Sequence, residues 1–257
     1  MTFSLKVDAI KFRGHLVSVM NGYASAGADL VPVVKGNGYG FGRGTLANEA
    51  SRLGCNRIAI GTVWELGQSL ADFPGEILVL EPFNSFDESA VVQWRQHLEH
   101  NADRVIVTVS SIDLASVRAA GAKNIYLEGK TSLSRFGMLH FDMQSLVNFN
   151  DLKVLGLSLH LPIAQSATKV DATTEISSAF NGATLSKSMT EAWNWIVLYE
   201  ELSTKFSLPK HISVSHITEA QIHSFKKMMQ SYNFDLDIEV RIGTKLWLGE
   251  PGALQAT

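Results

Sequence analysis

Apolar residues recur along the chain in two alternating periods. Short runs rich in Val, Ile and Leu occupy 30–35, 57–61, 76–81, 104–109, 124–128, 154–160, 211–215 and 237–241. Each is of strand length and nearly continuous. Between them, apolar positions three and four apart predict helices over 45–53, 63–71, 88–99, 112–119, 143–148, 185–206 and 218–229. A further helix opens the chain, where Ile10, Phe12, Leu16, Val17, Met20 and Tyr23 share helical spacing, with Asp8 as N-cap and Gly27 as stop. Nearly continuous apolar runs suit parallel strands with helices on one face and a core on the other. Eight strand and helix units in series predict a closed (β/α)8 TIM barrel, with an open doubly wound sheet as the alternative.

One connection is out of scale. The stretch 161–184 is polar and turn-rich where a few residues would suffice. It leaves from His160 at the functional end of a barrel, which favours a lid over idle disorder. The barrel domain is set at 1–245, and 246–257, carrying Gly-Glu-Pro-Gly, reads as the exit into a linker.

Composition then narrows the function. Hydrophobic residues make up 46% and charged residues 18% of the 257, the balance of a folded chain with a substantial core. A net charge of -3 leaves no cationic surplus for phosphate backbones, so nucleic acid is not expected as a partner. Cys55 is the only cysteine, which rules out an intrachain disulfide. Neither a signal peptide nor a membrane span is visible, and a cytoplasmic location is expected.

Several local patterns carry no chemistry. Gly129-Lys130-Thr131 lacks the glycine five residues upstream that a P-loop needs, since Asn124 stands there. The glycines of 36–44 never take the dinucleotide spacing. No metal is expected, because no HExxH or equivalent cluster occurs. Trp193, Trp195, Ile196 and Leu198 read as helix core.

In a barrel the informative positions lie just after each strand. Val31-Pro-Val-Val-Lys35 runs into glycine at every second position from Gly36 to Gly44, putting an amine at a strand tip. The other strand ends supply Glu128, with Arg135 after a Ser/Thr loop, then His160, then Ser215 and His216 before a helix near Thr218, and Arg241 with Gly243-Thr244. Singly these read as ion-pair partners, a strand histidine and a helix cap. Together they outline a cofactor site with an anion-binding corner.

These segments resemble those of the alanine racemase family. Val33-Val-Lys-Gly-Asn-Gly-Tyr-Gly-Phe-Gly42 is similar to that family's Val-Val-Lys-Ala-Asn-Ala-Tyr-Gly-His-Gly. Thr131-Ser-Leu-Ser-Arg135-Phe-Gly-Met resembles its Thr-Gly-Met-x-Arg-Leu-Gly, Leu157-Ser-Leu-His160 its strand-six histidine, and Val240-Arg241-Ile-Gly243-Thr its Val-Arg-x-Gly-Ile. The likeness runs in order from Lys6 to about Gly249. It implies a fold-type III pyridoxal 5'-phosphate (PLP) barrel in which Lys35 forms the internal aldimine, a Schiff base, and acts as acid/base. Tyr39, Ser215, Gly243 and Thr244 would bind phosphate, Arg135 would face the phenolic oxygen and His160 would pack on the pyridine ring. Arg241 would face the pyridine nitrogen and keep it unprotonated.

Phe41 replaces the family's usual His, Ser132-Leu133 its Gly-Met, and Val214 the Asn before the phosphate-binding Ser. Glu128 stands where many members carry lysine, and could support Arg135 directly. A full racemase continues into a C-terminal β domain that supplies a catalytic tyrosine across a dimer, whereas this sequence ends at Thr257. The expected function is therefore an alanine racemase-like isomerase acting on a small amino acid, one base short and a candidate homodimer. A non-catalytic single-domain PLP carrier is the alternative, and a Schiff-base aldolase would leave Arg241 and Tyr39 without a role.

Overall fold

The computed structural model describes residues 7–163, 179–180, 183–184 and 186–249. The 161–184 connection lies mostly outside the described residues, and so does the tail beyond Gly249. The strands are β1 Asp29–Pro32, β2 Arg57–Ile60, β3 Glu76–Val79, β4 Val105–Val109, β5 Asn124–Gly129, β6 Lys153–His160, β7 Ala179–Phe180, β8 Ala183–Thr184, β9 His211–Ser215 and β10 Asp237–Ile242. The helices are α1 Ala9–Ser25, α2 Arg43–Arg52, α3 Leu66–Asp72, α4 Glu88–Asn101, α5 Leu114–Ala119, α6 His140–Gln144, α7 Lys187–Phe206, α8 Glu219–Ser231 and α9 Thr244–Leu248, with a 3-10 turn at Val63–Glu65.

Eight parallel strands form one sheet in the order β1-β10-β9-β6-β5-β4-β3-β2, while β7 and β8 pair separately. The ends of that order meet at a single bridge, Val33 to Ala59, where Val34 N–H donates to the Ala59 carbonyl at 2.8 Å. The sheet is therefore a barrel with one thin seam. All eight strand runs read from the sequence are strands of this barrel.

Helix boundaries shifted where caps outweighed periodicity. Asp113 accepts from Ser116 N–H at 3.1 Å, so α5 begins after it rather than at 112. The helix expected over 143–148 forms at His140–Gln144, since the Asp142 carboxylate reaches back to Leu139 N–H and closes that start. The short α9 was not foreseen. Its buried Trp247 donates to the Val33 carbonyl at 2.7 Å, locking this helix on β1.

The main core lies between strands and helices, and a smaller one, Val31, Val33, Ala59, Leu78, Ile106 and Tyr126, fills the lumen. Beneath it, toward the strand N-termini, sits a polar plug. Arg57 pairs with Glu239 at 2.5 Å and Glu76 at 2.6 Å, and donates to the Tyr126 hydroxyl at 2.8 Å. Ser213 donates to Glu239 at 2.6 Å, and Tyr126 reaches His211 Nε2 at 2.9 Å. Among the described residues no helix is long and apolar enough to cross a membrane.

Candidate active site at the strand C-termini

Alternation along a strand carries the lumen upward in steps of two. From Val31 and Val33 the next position is Lys35, from Tyr126 it is Glu128, from Ser158 it is His160, and from Glu239 it is Arg241. The rungs then set neighbours: His160 pairs with Ser215, Ser215 with Arg241, and Arg241 with Val31. Lys35, Glu128, Arg135, His160 and Arg241 accordingly line one cavity of about 30 Å3 together with Gly61, Leu80 and Phe136. Arg135 and Phe136 are exposed on the β5–α6 loop.

The turn after Lys35 is self-bonded. Gly38 N–H donates to the Lys35 carbonyl at 3.1 Å, Gly42 N–H to the Asn37 carbonyl at 3.0 Å, and Gly40 N–H to Asn37 Oδ1 at 3.1 Å. Gly38 has φ +64, and a Cβ there would lie 2.5 Å from the Gly42 backbone. This glycine is required by the turn itself. Phe41, in place of the usual histidine, stacks on Phe12 of α1 with ring centroids 5.3 Å apart.

Three buried polar atoms at this mouth have no hydrogen-bond partner among the described residues: Arg241 Nε, Ser215 Oγ and Glu128 Oε2. Arg241 is otherwise held, donating to Ser158 Oγ at 2.5 Å and to the Leu159 carbonyl at 2.8 Å. Its guanidinium plane is thus fixed with Nε left over. Ser215 was expected to share anion binding with the start of the next helix, but Thr218 and Gln221 cap that start themselves. Thr218 N–H donates to Gln221 Oε1 at 2.9 Å.

Burial pushes the Glu128 carboxyl up to about 7, against the pull of Arg241 and Arg135. No ion pair joins it to either arginine among the described residues, and Arg135 instead lies over the Phe136 ring at 5.0 Å. Folding raises this pKa above its unfolded value of about 4.5, so stability from the protonated form is present at low pH and lost as pH rises toward 7. Glu128→Gln is therefore expected to exceed the parent in stability by up to about 3 kcal/mol above pH 7. The advantage should fade toward pH 4.5, as read by urea unfolding across pH.

Burial, then Arg241, His216, Arg135 and Lys35, push His160 down to about 3, so its imidazole is neutral at ordinary pH. Its backbone carbonyl accepts from Thr131 Oγ1 at 2.6 Å, and its ring meets His216 edge-on at 5.1 Å. His216 has φ +58, an uncommon conformation for this residue type.

The remaining expected residues gather at a second corner. Burial pushes the Tyr39 hydroxyl up from its ordinary pKa, against the pull of the Thr244 side chain, and a Cβ added at Gly243 would fall 1.8 Å from the Tyr39 hydroxyl. Only glycine admits that ring. Gly243→Ala is expected to cost about 1–3 kcal/mol in chemical unfolding, and less in a Tyr39→Ala background, where nothing remains to clash.

Two residues were not singled out by the sequence reading. Glu65 accepts from Gly36 N–H at 3.1 Å and Gly61 N–H at 2.8 Å, and Arg43 donates to the Gly36 carbonyl at 2.7 Å. Both work on the backbone beside Lys35, which no side-chain motif announces. The available signal was position alone: Glu65 follows a strand end by a few residues, as the candidate residues do.

A lumen closed below by a polar plug and open above to an amine, an imidazole and a buried guanidinium defines a lysine-bearing (β/α)8 barrel protein. The sequence matches the family model "Alanine racemase, N-terminal domain" over residues 7–192, and the chain belongs to this family. No curated protein matches it. Among solved structures it is similar to alanine racemase of Clostridium difficile 630, with TM-score 0.62, 15% identity, and 93% of this chain and 58% of that one covered. The enzyme from Oenococcus oeni gives TM-score 0.62 and 18% identity, over 96% and 65%. Alanine racemase of Bartonella henselae with covalently bound pyridoxal phosphate gives 0.60 and 16%, over 98% and 62%. The chain thus spans roughly three-fifths of those proteins, and at these identities the likeness is one of fold.

Proposed function

We propose that this chain is a PLP-dependent amino acid racemase-like protein of the alanine racemase type. The observation that carries the reading is a pair of buried atoms without a hydrogen-bond partner among the described residues, Arg241 Nε and Ser215 Oγ, on adjacent strands around Lys35. A buried donor without an acceptor costs about 1–3 kcal/mol. A pyridine nitrogen would satisfy the first and a phosphate oxygen the second, so the residues present fit the cofactor.

PLP, when bound, supplies a conjugated ring that accepts electron density from the substrate's Cα. Lys35 would hold the cofactor through its amine and then take and return the proton at Cα. Arg241, permanently protonated, would donate Nε–H to the ring nitrogen and keep a proton off it. His160, neutral, would pack on the ring. Tyr39, Ser215, Gly243 and Thr244 would seat the phosphate, and Arg135 would face the phenolic oxygen. The same reading sets a small amino acid as substrate and a homodimer, with the barrel domain carried past the expected 245 to the end of α9, whose Trp247 is buried against Val33.

Incubation with PLP, reduction with borohydride and peptide mass spectrometry are expected to place a pyridoxyl group on Lys35. A chain left unmodified there would sink the proposal. A non-catalytic PLP carrier is the second reading, since the residues that would hold the cofactor serve a carrier equally. Exchange of the Cα proton of L- and D-alanine in deuterated water decides between them: exchange marks an enzyme, and none marks a carrier.

A further inference from the structure

At the seam between β1 and β2 the ladder ends early. Val34 N–H donates to the Ala59 carbonyl, and the next two rungs of a regular parallel pair would use the N–H groups of Gly61 and Gly36. Both donors go instead to one carboxylate: Gly61 N–H to Glu65 Oε2 at 2.8 Å and Gly36 N–H to Glu65 Oε1 at 3.1 Å. The Gly61 carbonyl is turned the other way, accepting from Glu81 N–H at 2.8 Å. Glu65 therefore replaces two backbone rungs with a side chain, and the strands part at the point where Lys35 stands.

Gly36, the residue that follows Lys35, is gripped on both sides. Its N–H meets Glu65, and its carbonyl accepts from Arg43 Nη1 at 2.7 Å, while Arg43 Nη2 is anchored on Gln68 Oε1 at 2.7 Å. The fit is close. A Cβ on Gly61 would lie 2.9 Å from Glu65 Oε1 and 3.3 Å from Lys35 Cβ. A carboxylate is the group this place needs, because two N–H donors point at it and it alone offers two acceptor oxygens. An amide would turn its NH2 group toward one of them.

We infer that Glu65 is a positioning residue for Lys35, holding the lysine-bearing strand tip so that the amine reaches a ring seated by Ser215 and Arg241. The inference rests on the proposed PLP site. It differs from a general structural role in one respect: it affects attachment to the amine and not seating of the phosphate and ring.

The test compares two ligands in the parent chain, Glu65→Gln and Gly61→Ala. PLP can join Lys35, whereas pyridoxine 5'-phosphate has the same ring and phosphate but no aldehyde. Expected is a loss of about tenfold or more in apparent PLP affinity at Lys35, read as borohydride-trapped pyridoxyl, the effect of one charge-assisted hydrogen bond. Pyridoxine 5'-phosphate affinity, read by calorimetry, should change less than about twofold. Equal losses for both ligands, or no loss of trapping, would overturn the inference. Should Glu65→Gln not fold, Gly61→Ala decides by the same two readings, since its methyl displaces the carboxylate. A parent chain without adduct refutes the PLP site itself, whereas a parent with adduct and unchanged variants refutes only the role of Glu65.

Discussion

Lys35→Ala is expected to give no pyridoxyl adduct anywhere in the chain and to cut Cα-proton exchange of alanine by about 10²–10⁴-fold, the usual weight of a positioned acid/base. No other candidate in the mouth can take over the amine's part. His160 and Arg241 are both tied into the barrel, one neutral and the other fully buried. Stability should change little, because Lys35 is exposed and the turn beyond it is held by backbone bonds, by Asn37 and by Glu65. Methylamine added to the variant should restore part of the exchange by replacing the lost amine. Exchange undiminished in Lys35→Ala would remove the lysine from the mechanism.

The second large effect lies at the other end of the lumen. Arg57→Met is expected to destabilise the chain by about 3–5 kcal/mol, on the order of 10 °C in Tm. Burial works against the charge on Arg57, but Glu239, Tyr126 and Glu76 outweigh it and raise its pKa. Removal of the guanidinium strands the Glu239 carboxylate, 5% exposed, with Ser213 as its remaining hydrogen-bond donor among the described residues. Glu76, 40% exposed, can turn to water. Calorimetry checks the size, and recovery of much of the loss on adding Glu239→Gln to Arg57→Met would place the cost on the stranded carboxylate, whereas no recovery would place it in packing.

The two large effects differ in how readily the residues could be read. Lys35 was visible as a lysine ending an apolar run before alternating glycines, and Glu128, His160, Ser215 and Arg241 as polar residues closing others. Arg57, Glu76 and Glu239 were not visible, because a charged residue near the start of a strand looks the same whether it meets solvent or crosses a lumen. The plug exists only once β2, β3 and β10 are wrapped into a ring. Similarly, the helix expected over 143–148 moved to His140–Gln144 because the Asp142 carboxylate capped it, an effect that periodicity does not carry.

Sequence alone determined the eight strand runs, the helices between most of them, the parity that sends Lys35 and Arg241 into one lumen, and the family. Those properties are local, set by which face of each element is apolar. Tertiary structure decided which atoms lack partners among the described residues, Arg241 Nε and Ser215 Oγ among them, and that Glu65 rather than a backbone rung receives the N–H groups of Gly36 and Gly61. Hydrogen-bond satisfaction is a sum over everything within reach of an atom, and the neighbours that complete it come from strands far apart in the chain.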